Sequence, residues 1–248
     1  MSRTASAARA RPHVRTDLAR WLQESVLKWA AQSGRSFPWR DTPNPFHVLI
    51  AVVLLRQTQA ARVAGPYVDL ITRYPDARSL ASADVRRLRR WFRPLGLVRR
   101  ADHLVQLAQT LVRDHGGEVP CDLETLLTLP GMGTYSARAV LCLGFRARVP
   151  MIDEGSGRVL RRVLGLEARG PAYSDRQLLE IVTRILPEES SKEFNLGLID
   201  IAATYCHPVS PECPSCPLLH ACALGTSRIR DGSRSAADGH GRDKTRPF

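Results

Sequence analysis

The segment "CHPVSPECPSCPLLHAC" sets Cys206, Cys213, Cys216 and Cys222 at the spacing C-x6-C-x2-C-x5-C. A C-x2-C pair makes a tight turn that aims two thiolates at one centre, and longer loops can return two more. Four thiolates hold either a zinc ion or an iron–sulfur cube. Zinc ribbons usually carry two short knuckles and only one is present here, which favours the cube and leaves zinc as the competitor. A second stretch, "LTLPGMGTYSARAV" at residues 127–140, places Gly131 and Gly133 between two apolar runs. Such glycines let the backbone turn sharply and leave N–H groups uncovered at the start of the next helix, where partial positive charge suits a phosphate. Tyr135 follows at once, and Asp153 stands 18 residues beyond it. A carboxylate at that point can cap its own helix; beside a phosphate-binding turn it can also stabilise a sugar cation.

These residues need a frame, and the pattern around them is helical almost throughout. "TDLARWLQESVLKWAAQSG" starts at a capping Thr16 and stops at Gly34, with apolar residues at helical spacing. "FHVLIAVVLL" is apolar nearly all round and is therefore a buried helix. Further helical runs lie on both sides of the glycine turn, and no segment alternates with period two between hairpin turns. The fold class expected is all-α. Residues 1–12, a basic arm, and residues 225–248, rich in Ser, Gly and Arg, are predicted to be disordered.

The 248 residues are 44% hydrophobic, enough to bury a real core. No apolar run reaches the roughly 18 residues a membrane span needs. "MSRTASAARARPHVR" has no apolar stretch behind it, so it does not read as a secretory signal and a cytoplasmic protein is expected. In that setting clustered cysteines indicate a metal site and not disulfides. The formal net charge is +12, and residues 84–102 alone hold seven Arg. Such a patch suits a polyanion, because each phosphate contact releases counterions. A solvated arginine face is the plainer alternative: only three Lys accompany 33 Arg.

Taken together, "LPGMGTYSARAV", "MIDEGSGRVLRRV" and the cysteine tail, in that order and spacing, resemble the helix–hairpin–helix (HhH-GPD) DNA glycosylases of the endonuclease III superfamily. "RSFPWRDTPNPFHVLIAVVLLRQTQ" and "FNLGLIDIAATYC" share the likeness, which covers roughly residues 20–224. The resemblance implies two helical lobes. Residues 41–149 would form a six-helix barrel carrying the hairpin, and residues 13–40 with 150–224 a lobe whose Cys206, Cys213, Cys216 and Cys222 bind a 4Fe–4S cluster. It further implies a monomer acting on double-stranded, nucleoid DNA with a mismatch or base lesion, with a monovalent cation as an added candidate beneath the turn.

Single positions separate the branches. Bifunctional members carry a Lys where this chain has Tyr135; a phenol cannot form a Schiff base, and no Lys lies between Lys28 and Lys192. Adenine glycosylases carry a proton-donating Glu that falls here at Val52, and they add a C-terminal domain. Thymine-DNA glycosylases of T·G and U·G mismatches share the tyrosine. The expected activity is thus monofunctional excision of thymine or uracil opposite guanine. Adenine removal is the alternative, and a DNA-binding protein without catalysis the alternative of another class. By resemblance, Asp153 and Tyr135 are catalytic. Gln57 fills the vacated stack, Leu97 wedges from the other side, and Gly131, Gly133, Arg56 and Arg99 contact DNA. The unusual "DEGSG" after Asp153, and a loop 207–212 without Lys or Arg, depart from the pattern.

Overall fold

The computed structural model describes residues 14–93, 96 and 98–238, with the side chains of 231–238 excepted. Among the described residues there are twelve α-helices and no strand. The all-α expectation holds. The basic arm and Leu97 lie outside the described residues.

α1 (Thr16–Ser33) begins the chain, and here the sequence reading errs slightly. Arg15 and not Thr16 occupies the N-cap, and no side chain caps the helix. α2 (Pro45–Leu55) starts on Asn44, whose Oδ1 accepts the Phe46 amide at 2.9 Å, with Pro45 preset in the first turn. It is buried on nearly every face, as its composition requires, and packs against α3 (Ala60–Arg73), α6 (Val98–His115) and α8 (Thr134–Gly144). The short α4 (Ala77–Ala81) and α5 (Val85–Phe92) close on α6, and α7 (Leu123–Thr128) leads into α8. Their shared core runs from Trp39 to Met151.

A second apolar core joins α1 to the later helices α9 (Glu154–Leu164), α10 (Arg176–Ile185) and α11 (Ser191–Thr204) through Leu22, Val26, Leu160, Phe194 and Leu198. Burying each such side chain contributes about 1.5–3 kcal/mol. α12 (Ala223–Asp238) packs on α9. α12 covers the first part of the stretch expected to be disordered, with Leu224 against the cysteine loop, and residues 239–248 lie outside the described residues.

α11 fixes both places where the chain passes from one core to the other. Buried Asn195 donates through Nδ2 to the Val149 carbonyl at 3.0 Å and accepts the Met151 amide at 3.1 Å. Buried Asp200 accepts from Arg40 at 2.7 and 2.8 Å, and from the Arg35 Nε and amide at 2.6 and 2.8 Å. Asp153 therefore emerges two residues after a clamped backbone.

Candidate active site

The link between α7 and α8 is a hairpin turn. Asp122 caps α7 at the Thr125 amide (2.8 Å), the helix ends at Leu129, and the Met132 amide closes back on the Leu129 carbonyl at 3.1 Å. Gly131 takes φ 73°, a left-handed conformation that costs glycine nothing. Gly133 serves differently. Its backbone is extended, it is the N-cap of α8 with no side-chain cap, and a Cβ there would meet nothing within 4 Å. Only Gly131 makes the turn; Gly133 leaves the approach to the α8 amides clear.

Arg56 ties this turn to the loop after α2, donating through Nη1 to the Gly131 carbonyl at 2.8 Å. The next residue, Gln57, sits at φ 53°, left-handed for a residue that is not glycine. Arg100, from the first turn of α6, donates to the Leu54 carbonyl and to Thr58 Oγ1 and so holds the loop from behind. Arg99 is exposed beside it and lines no part of the central cavity.

Arg56, Gln57, Gly133, Tyr135 and Asp153 line one cavity of about 710 Å³, with Val52 in its wall. Asp153 is both a cap and a cavity residue. Its Oδ1 accepts the Ser156 amide at 2.7 Å and the Ser156 hydroxyl at 2.8 Å, while Oδ2 has no hydrogen-bond partner among the described residues. The capping pins the carboxylate and leaves one oxygen for other work. Burial, and then the Asp153 carboxylate, push the Tyr135 phenol well above its ordinary value, so it keeps its proton at neutral pH. The far wall holds Phe37 stacked on Trp39 at 4.9 Å, with the Arg40 guanidinium over the Phe37 ring. Desolvation alone would raise the Asp200 carboxyl, but hydrogen bonds from Arg40 and Arg35 outweigh it and hold the group below the usual carboxylate range. No lysine lines the cavity among the described residues; Lys192 spends its ammonium on the Arg40 carbonyl.

Cys206, Cys213, Cys216 and Cys222, all free thiols, line a second, small cavity. Donors point at their sulfurs: Arg162 Nη1 lies 3.4 Å from Cys206 Sγ, and the Gly225 amide 3.3 Å from Cys222 Sγ. Burial pushes the Cys216 thiol up to about 11. Among the described residues no three His, Cys, Asp or Glu side chains form a group that could hold a single metal ion. The loop that lacks basic residues is held from below, its carbonyls at Cys206 and His207 accepting Arg158 and Arg162 of α9 at 2.7 Å each.

The description of the HhH-GPD superfamily of base excision DNA repair proteins matches residues 50–184, more than half of the chain. The chain belongs to that superfamily. The thymine-DNA glycosylase of Aeropyrum pernix is 37% identical over 206 residues, covering 81% of this chain and 92% of that one. The adenine DNA glycosylase of Mycobacterium tuberculosis is 36% identical over 196 residues, covering 78% of this chain and 64% of that enzyme. Among solved structures, a thermostable thymine-DNA glycosylase aligns with a TM-score of 0.80 at 30% identity, covering 85% of this chain and 98% of the other. A non-covalent endonuclease III–DNA complex aligns at 0.75 and 27% identity, covering 88% and 100%.

Several residues of this HhH-GPD chain escaped the sequence reading. Arg40 and Asp200 sit in the quoted "FPWR" and "GLID" segments, yet nothing local says that they pair across 160 residues. Arg100 was one of seven indistinguishable arginines. Tyr173 lines the cavity from a segment that carries no motif.

Proposed function

We propose that this HhH-GPD protein is a monofunctional DNA glycosylase that excises thymine or uracil opposite guanine and leaves an abasic site. One observation carries the reading: Tyr135 and the half-free Asp153 carboxylate share a cavity whose wall, among the described residues, has Val52 and no lysine. Without an amine there is no Schiff base to break the strand. Without a carboxylic acid at Val52 there is no donor for an adenine ring, which leaves poorly unless protonated; thymine and uracil depart as delocalised N1 anions. The names of the relatives from Aeropyrum pernix and Pyrobaculum aerophilum, thymine- and thymine/uracil-DNA glycosylase, agree with this reading.

The protein acts as a monomer on nucleoid DNA. A phosphate of the damaged strand binds the clear N-terminus of α8 at Gly133, beyond the turn made by Gly131. The nucleotide swings out at a cost of a few kcal/mol, least for a mismatched pair. Gln57, with Leu97, takes the vacated space, and Arg56 and Arg99 meet the backbone. Asp153 Oδ2 orients the water and stabilises the oxocarbenium ion, while Ser156 fixes Oδ1. Tyr135 packs on the extruded nucleotide and offers its hydroxyl as a donor.

The four thiols fit a metal cluster: they line one cavity and are met by a guanidinium and an amide. Cys206, Cys213, Cys216 and Cys222 would hold a 4Fe–4S cluster, which supplies a structural cross-link for the lobe. Iron and acid-labile sulfide in equal amounts are expected on analysis; zinc without sulfide would overturn the assignment.

The test of function is single-turnover base release from duplexes carrying T·G, U·G, A·8-oxoguanine, A·G, an oxidised pyrimidine and an alkylated purine, with and without alkali. Release from T·G and U·G, with strand breaks only after alkali, is expected. Adenine release would favour the second reading, which the 36% identity to an adenine enzyme keeps in view. Asp153→Asn should keep the helix cap and DNA binding and lose hydrolysis; unchanged release would sink the mechanism.

A further inference from the structure

We infer that Tyr173 is a DNA-binding side chain, an aromatic platform that packs against the extruded nucleotide where it crosses the mouth of the cavity. The inference rests on the glycosylase reading for its ligand, an unstacked nucleobase, and on the following geometry for its position.

Tyr173 lines the central cavity and yet remains 44% exposed, among the few large apolar side chains left so open. Its neighbour Ala172 is fully buried and carries the docking of the 3₁₀ turn Ala172–Ser174. That turn is held against the start of α9 by three separate devices. Glu154 reaches back and accepts the Ala172 amide on Oε1 at 2.9 Å. Gly157 lets the turn press so close that a Cβ there would fall 2.2 Å from the Ala172 Cβ. Asp175, directly after the turn, pairs with Arg161 of α9 at 2.7 Å, both side chains largely buried.

The backbone of the turn that carries Tyr173 is thereby fixed relative to Asp153, because both are held on α9. The odd stretch "DEGSG" acquires a reason residue by residue. Asp153 works in the cavity, Glu154 and Gly157 seat the tyrosine turn, Ser156 pins Asp153, and Gly155 lines the cavity without a side chain. Anchoring the backbone that carries a half-exposed ring lowers the entropy lost on contact, which is what a stacking platform needs.

The experiment uses the full chain and measures equilibrium binding of two duplexes, one with a T·G mismatch flanked by 2-aminopurine, its thymidine 2′-fluorinated so that the base is not released, and one fully paired. Tyr173→Ala should weaken mismatch binding by about 5- to 150-fold, the range for loss of one base–aromatic stack, and leave the paired duplex alone. Tyr173→Phe should retain most of the affinity, and Glu154→Ala should lose part of it. Tyr173→Ala binding like the wild type, or losing both duplexes equally, overturns the inference, as does a wild type with no preference for the mismatch. Base release by the wild type on the lesion panel reports separately on the glycosylase reading. That reading can stand while Tyr173 fails, or fall while Tyr173 still grips the mismatch.

Discussion

Arg100 Nη1 donates to Thr58 Oγ1 at 2.9 Å and, at the same time, to the Leu54 carbonyl, so one guanidinium on α6 grips both ends of the loop that carries Gln57. The side chain is half-buried in doing so. Replacing Arg100 by Ala leaves that carbonyl and hydroxyl without their donor, at about 1–2 kcal/mol. The larger effect should be on flipping: 2-aminopurine beside a mismatch should brighten less, with the maximal release rate down about tenfold. Arg100→Lys, which keeps charge and one donor, should lie between; a fall in stability alone would assign Arg100 a purely structural role.

Gln57 offers the opposite experiment. Its left-handed backbone, φ 53°, costs a residue with a Cβ about 1–2 kcal/mol. Gln57→Gly removes that strain and should leave thermal stability equal to or slightly above the wild type. Base release should nonetheless fall, since nothing fills the vacated stack. A stable variant with full activity would remove Gln57 from the mechanism.

Gly157→Ala places a methyl group where the Ala172 Cβ already lies, 2.2 Å away. Overpacking of this kind costs about 1–3 kcal/mol. Ala172→Gly in the same chain should restore much of it, so the denaturation midpoints of the two single variants and the double variant should be strongly non-additive. Additive midpoints would show that the turn and α9 do not press on one another.

Asp200 makes the acid limb predictable. Its folded carboxyl is held below the unfolded value of about 3.9, so the stabilisation is complete above that value and drains away as pH falls through the lowered one. Asp200→Asn should cost about 3–5 kcal/mol at pH 7, because it strands Arg40 in a buried setting. From about pH 4 downward the wild type should begin to lose its advantage over the variant in urea denaturation, and lose all of it only below the lowered folded value. A difference independent of pH would mean that the Arg35 and Arg40 contacts do not depend on the charge.

Much of the frame could be read from local pattern. α2 shows its burial in an unbroken apolar run, and Asp153 announces a helix start that the structure places where it stands. The turn at Gly131 shows in its glycine, while the family resemblance singled out Tyr135, Asp153 and Gln57, which line one cavity. The residues that hold these groups were hidden for a physical reason: their partners are distant in the chain. Asn195 reaches Val149, and Arg100 reaches Thr58, through contacts that leave no period or spacing behind. Thr16 misled because a good capping residue is only a preference, overruled here by the path of the chain into α1. Glu154, part of the unusual "DEGSG", has its reason in a distant contact, accepting the Ala172 amide.

The seating of α1 on α11 sets an order of events during synthesis. Leu22 and Val26 leave the ribosome early, but Phe194 and Leu198, which bury them, follow about 170 residues later, roughly 10–35 s at ordinary elongation rates. The barrel core is complete in sequence by Met151 and can close during that interval. The first helix made is thus among the last to find its place, and until then its apolar stripe is open to whatever in the cell binds nascent chains.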